Sequence, residues 1–221
     1  MKLWIYAALL AATGTVGAQP APATPKTSAP AAKEVWEGPL GLKMGISLEE
    51  LGRAIALKEP KQVALYGSDT APSPHQAFES YIYTVAAGAG LCRITAVGKT
   101  VATNVFGNEL RSEYASLKEA LGTKYGKPTN DFDFLRQGSI WAEPNDWMTA
   151  LLKKERSLAV YWNSGPDKQG IRQISLPNDL AVIGLSAAAN GPNSGFITVT
   201  YSFTNEGACL DEIKKSMNKS L

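Results

Sequence analysis

The stretch NELRSEYASLKEALGTKYGKPTNDFDFLRQGSIWAEPNDWMTALLKKERSLAVY, residues 108–161, holds the strongest local signals in the chain: a long helix, a turn, a second helix and a strand. Leu110, Tyr114, Leu117, Leu121 and Tyr125 recur at spacings of three and four, the stripe a helix buries on one side, while Arg111, Glu113, Lys118, Glu119 and Lys124 fill the rest. Asn108 can cap the start through its side-chain oxygen, and Glu109 places negative charge at the positive end of the helix dipole. Gly126 supplies the left-handed residue of a C-terminal cap and Pro128 cannot continue the ladder, so the helix stops after roughly 17 residues, about 25 Å.

Beyond it, the Asn, Asp and Gly of residues 129–138 predict a turn, and residues 139–142 read as extended because Glu143 precedes a proline and is pushed out of helical space. Pro144 suits the first helical position, and Trp147, Met148, Leu151 and Leu152 form the buried stripe of a second helix. Residues 158–163 are apolar on both alternating sets, Leu158, Val160 and Trp162 against Ala159 and Tyr161, which predicts a strand covered on both faces.

Working outward to the start of the chain, Lys2, the apolar run of residues 3–12 and the small residues ending Val16-Gly17-Ala18 have the layout of a secretory leader cut after Ala18, residues 1–18. Residues 19–33, mostly Ala, Pro, Thr and Ser, offer little to bury and read as a linker, leaving residues 34–221 as a single domain. Ten apolar residues are too few to cross a hydrocarbon layer of about 30 Å, so no membrane span is expected in the mature chain. The chain has 22 Lys and Arg against 20 Asp and Glu, and loss of Lys2 with the leader makes that 21 against 20, a balance that gives no electrostatic reason to expect nucleic acid. Export leads to a periplasmic or secreted location, where two cysteines read first as a disulfide. Cys92 is placed on the apolar side of its strand with Ile94 and Ala96, and Cys209 on a last helix with Ile213 and Met217. Two buried free thiols, or one reactive cysteine, are the alternatives to a bridge.

Ser47-Leu48-Glu49-Glu50 matches a capping box, with Leu48, Leu51 and Ile55 the buried stripe of a short helix running to about residue 57. Residues 62–66 predict a short strand and residues 67–76 a loop. Residues 78–86, 91–97 and 100–106 predict an antiparallel meander, residues 171–176 and 180–187 two further strands, and residues 164–170 and 190–195 turns. Residues 196–204 alternate strictly, Ile197, Val199, Tyr201 and Phe203 against Thr198, Thr200, Ser202 and Thr204, so that one face is buried and one polar. The fold class is therefore α+β: a mainly antiparallel sheet, a meander plus C-terminal strands, packed by about four helices and one disulfide. Ser47 to Gly52 faintly echoes Ser116 to Gly122, a pseudo-repeat on one reading and a chance likeness of amphipathic helices on the other.

Met44-Gly45-Ile46-Ser47-Leu48-Glu49-Glu50-Leu51 resembles the strand-to-helix transition of small outer-membrane assembly lipoproteins of the SmpA/OmlA type and of the wider β-lactamase-inhibitor-protein-like fold. The chain departs from the lipoproteins in having no lipid-accepting cysteine after the leader. The leader, GLKMGISLEEL at residues 41–51 and GSIWAEPNDW at residues 138–147 are together similar to an uncharacterised group of proteobacterial exported proteins, a resemblance that implies an envelope setting and no activity.

No cofactor fingerprint occurs: there is neither a P-loop nor a dinucleotide motif, and the one histidine, His75, in a Pro-rich loop, is not enough for a zinc site. A Ser-His-Asp triad would need that same histidine, which sits beside no nucleophile motif. Paired carboxylates remain, Asp131 and Asp133 between Phe132 and Phe134, or Glu143 and Asp146 between Trp141 and Trp147. The bland reading gives those acids turns and a helix N-terminus, and gives most of Trp36, Tyr81, Tyr83, Trp141, Trp147, Tyr161, Trp162 and Tyr201 to the core. Trp141, Glu143, Asp146 and Trp147 form the candidate binding patch. The expectation is an exported, non-catalytic binding or interaction module whose partner is a protein or another envelope component. A glycoside-type hydrolase using the carboxylates, or a small-ligand carrier with an apolar pocket between sheet and helices, are the alternatives. Nothing in the sequence sets the oligomeric state.

Overall fold

The computed structural model describes residues 36–60, 62–166 and 173–218. The expected leader and linker, and most of the turn at residues 164–170, lie outside them. In chain order the elements are α1 (Leu48–Ala54), β1 (Leu65–Ser68), β2 (Phe78–Ala86), β3 (Gly90–Gly98), β4 (Val101–Ala102), α2 (Asn108–Tyr125), β5 (Asn130–Leu135), α3 (Trp147–Leu152), β6 (Arg156–Asn163), β7 (Gly165–Pro166), β8 (Gln173–Ile174), β9 (Leu180–Gly191), β10 (Ser194–Phe203) and α4 (Glu206–Asn218). An eight-stranded antiparallel sheet runs β1-β2-β3-β10-β9-β6-β5, with β4 paired to β10 off that path, and β7 and β8 form a small ribbon of their own. The fold is α+β, and Cys92 and Cys209 are bridged.

One face of the sheet carries α1, α2 and α3 over a single apolar cluster that includes Leu51, Tyr83, Ile94, Leu110, Met148, Trp162 and Val199. Each large side chain taken wholly out of water there contributes about 1.5–3 kcal/mol. The period-2 pattern of β10 is realised as expected: Ile197, Val199, Tyr201 and Phe203 are buried, while Thr198 and Thr200 on the other face meet Ser186 and Thr95 across the ladders at 2.8 and 3.4 Å. At the end of α2, Gly126 adopts φ 83°, its N–H donates to Gly122, and its carbonyl accepts the Trp162 indole N–H at 2.8 Å. The helix stop and a core tryptophan therefore satisfy each other's polar groups.

Several expectations are corrected. Asn108 is the first helical residue rather than the cap. Gly107 precedes it at φ 70°, and the Asn104 side-chain oxygen accepts from the N–H of Phe106 and of Asn108. Glycine is needed at 107 because a Cβ there would lie 2.3 Å from the Trp147 ring. Residues 130–135, read as a turn, form β5, whereas residues 139–142 are not a strand. Of residues 100–106 only β4 is extended. It pairs with β10 rather than β3, because the chain beyond it is already committed to the turn that starts α2. Helix α1 ends at Ala54, before residue 57, and Leu48 and Leu152 stay partly exposed. The turn expected at 190–195 is present but tighter: Pro192 and Asn193 form it, while the residues on either side extend the β9–β10 ladder.

The cysteine environment is corrected too. The β2–β3 register shifts between Thr84 and Val85, so Leu91 and Ile94 both reach the main core while Cys92 turns to the opposite face. There Cys92 joins Ala86 and Cys209 in a second small cluster beneath α4, with Ile213 beside it and Met217 exposed. Among the described residues, strand β6 is likewise covered by helices on only one side. On the other, Tyr161 is half-buried against the Phe132 ring, centroids 6.0 Å apart. Among the described residues no helix is long and apolar enough to cross a membrane.

Candidate functional site

A broad concavity follows α2. Leu117 and Leu121 point toward the sheet from this helix, but Ala120 between them is short, and the gap it leaves is walled by Phe78, Val199 and Tyr201 below. The opposite wall is made by two irregular segments. Residues 36–41 fold back on themselves through Trp36 N–H to Gly41 O (3.1 Å), and Ser73 N–H donates to Leu40 O (2.9 Å), tying in the loop of Pro72, Ser73, Pro74 and His75. Gly41, at φ 75°, permits that approach, since a Cβ would stand 2.7 Å from Ser73 Oγ. Leu40 is itself left-handed, φ 57°, a conformation that costs a non-glycine residue about 1–2 kcal/mol and is held by these bonds.

The chamber so formed has a volume of about 630 Å³ and presents Glu37, Lys124 and Asn178 around an apolar floor. A second chamber of about 470 Å³ adjoins it, with His75, Leu117 and Ala120 bordering both, and with Lys99, Glu113 and Ser116 in its own wall. The two form a groove along α2 with His75 at its waist. His75 Nδ1 accepts the Ala77 N–H at 3.2 Å, which places the ring proton on Nε2 and leaves that nitrogen as a donor. Burial raises the Tyr201 hydroxyl above its ordinary range and pushes Tyr125 beside it up to about 12, so both phenols stay protonated at neutral pH.

The residues singled out in the sequence are not gathered into one site. Trp147 is only 6 % exposed, its ring contacted by the Arg111 and Arg156 guanidinium groups at 5.6 and 5.7 Å, so it belongs to the packing between α2, α3 and β6. Trp141 is half-buried, its backbone N–H donating to Ser139 Oγ, while Glu143 is exposed and Asp146 half-buried. Both acids sit at helical starts without a side-chain capping bond. Asp131 and Asp133 lie in strand β5 rather than in turns, ion-paired with Lys118 and Arg156. None of these four carboxylates lines the groove. His75, an exposed loop residue in the sequence reading, is exposed and also stands at the centre of the groove. Lys124, Tyr201 and Trp36 carry no local signal, since residues far apart in sequence make the groove. Its one trace is the pair of prolines, Pro72 and Pro74, that stiffens the loop before His75. Among the described residues no cluster of His, Cys, Asp and Glu could hold a metal ion. Comparison with protein-family models, with curated proteins and with solved structures finds no match.

Proposed function

We propose that this chain is an exported, non-catalytic binding module of the bacterial envelope and that the groove along α2 holds its ligand, a small elongated amphipathic molecule. The observation that carries the reading is the 630 Å³ chamber between sheet and helix. Its size falls within the roughly 300–1,000 Å³ of small-molecule sites, and its apolar floor with a few polar groups at the rim is their usual composition. Lys124 would meet an anionic head, and the His75 Nε2–H a carbonyl or hydroxyl along the ligand. The leader-like N-terminus supports export, and the disulfide supports an oxidising compartment. The likeness of residues 44–51 to envelope lipoproteins points the same way.

The test is titration of the oxidised protein with a fluorescent fatty-acid probe, alongside the Ala120→Trp variant that fills the chamber. Saturable binding weakened at least tenfold by Ala120→Trp, with the melting temperature retained, is the expected result. Absence of saturable binding, or equal binding by the variant, overturns the assignment of this ligand class to the groove.

A further inference from the structure

The two edges of the sheet are finished differently. At β1, residues 56–58 lie along the outer strand, with Lys58 N–H donating to Gly67 O (2.8 Å) and Ser68 Oγ to Ala56 O (2.9 Å). At β5 nothing among the described residues pairs with the outer side, and Phe132 and Phe134 are 37 % and 51 % exposed, stacked edge to face 6.2 Å apart. A bare strand edge with exposed aromatic residues is a template for another strand.

We infer that β5 is the contact between two copies of this chain, paired antiparallel about a two-fold axis at Asp133. The register dictates which backbone groups are free. Arg136 N–H bonds to Glu155 O in line with the β5–β6 ladder, so Phe132 and Phe134 turn their N–H and C=O toward β6 while Asp131, Asp133 and Leu135 turn theirs outward. A two-fold at Asp133 sets Asp131 against Leu135 of the second copy, and Asp133 against its own equivalent. Every free N–H and C=O of the three residues then finds a partner. The same register sets Phe132 opposite Phe134 of the second copy, at the closer, non-hydrogen-bonded positions, extending the aromatic stack across the axis. The two Asp133 carboxylates meet at the wider, hydrogen-bonded position, each already paired with its own Arg156, so charge is balanced along that row.

Sedimentation equilibrium of the oxidised protein from about 1 to 200 µM tests this, together with Phe134→Lys and Asp133→Pro. Proline is tolerated at 133 because that N–H points away from β6. A reversible dimer is expected, weakened at least tenfold by each variant with groove binding unchanged and, for Phe134→Lys, the melting curve retained. Amide exchange at Asp131, Asp133 and Leu135 should slow as concentration rises. A chain that stays monomeric throughout overturns the inference. So does a dimer that persists in both variants with those amides unprotected, or a β5 that accepts only a strand from another envelope protein. No residue of β5 lines the groove, so failure here leaves the ligand test untouched, and the reverse holds too.

Discussion

Helix α2 buries Leu110, Tyr114, Leu117 and Leu121 against one face of the sheet, whereas α4, on the other face, buries only Cys209 among its described residues. What replaces the missing apolar area is covalent and polar. The Cys92–Cys209 bridge spans 117 residues with the Cα atoms 6.3 Å apart. The Glu212 carboxylate accepts from the N–H of Gly88 and Ala89 at 2.8 and 3.0 Å, Asn205 donates to Ala89 O and Leu91 O, and Glu206 is ion-paired with Arg93. A helix that offers little apolar surface is thus held by a crosslink and by ligating one turn of backbone, a solution suited to an oxidising compartment.

The comparison breaks most visibly when the crosslink is removed. In the chain-entropy model a loop of this length contributes about 4–5 kcal/mol, so the double variant Cys92→Ala, Cys209→Ala should lose about that much stability in urea unfolding. Amide exchange should show α4 opening well before the sheet does. On the apolar side, Leu110→Ala should cost about 3 kcal/mol as a cavity opens where Leu110 is fully buried, lowering the cooperative transition as a whole without freeing any one helix. Glu212→Ala sharpens the contrast: loss of two charge-assisted bonds at a partly exposed turn should cost about 1 kcal/mol and speed exchange at Gly88 and Ala89 alone.

The smallest effect is at the start of α1. Glu50 accepts from the Ser47 N–H at 2.8 Å and Ser47 Oγ from the Glu50 N–H at 3.2 Å, and the backbone bond from Ser47 holds the Glu50 carboxyl below its ordinary range. A lowered folded-state value means the contribution is present above the unfolded-state value, near 4.5, and is lost as pH falls through the folded one. Glu50→Gln, which removes the titrating carboxyl, should flatten the acid limb of the stability curve below the unfolded-state value, leaving neutral stability slightly reduced. Retention of the full acid limb in that variant would place the titrating group elsewhere.

Elements whose burial is written in a local period could be read in advance. The 3.6-residue stripe of α2, the alternation of β10, the β2–β3 pair and the capping box at Ser47 all stand where their patterns put them. β5 was hidden because Asn130-Asp131-Phe132-Asp133-Phe134 has the composition of a turn. An edge strand ion-paired on one face and open on the other needs no apolar alternation. The phase of Cys92 was hidden because one register shift reverses every face beyond it. Gly107 shows a third cause, since its left-handed backbone is demanded by a ring 40 positions later, Trp147, and no window of sequence holds both. The groove has the same character: a helix, a folded-back N-terminal segment and a Pro-rich loop meet only after the sheet has formed.

The strand order has one more consequence. β10 follows every other described strand in the chain and sits between β3 and β9, so neither of those long strands has its full set of neighbours until residues 194–203 are present. Pairing of β3 with β10 closes a loop of about a hundred residues, which makes that closure slow, whereas β9 reaches β10 through a two-residue turn. If the chain is exported, as proposed, it would therefore stay unstructured during its passage and acquire its shape on the far side, where thiol oxidation can then lock it.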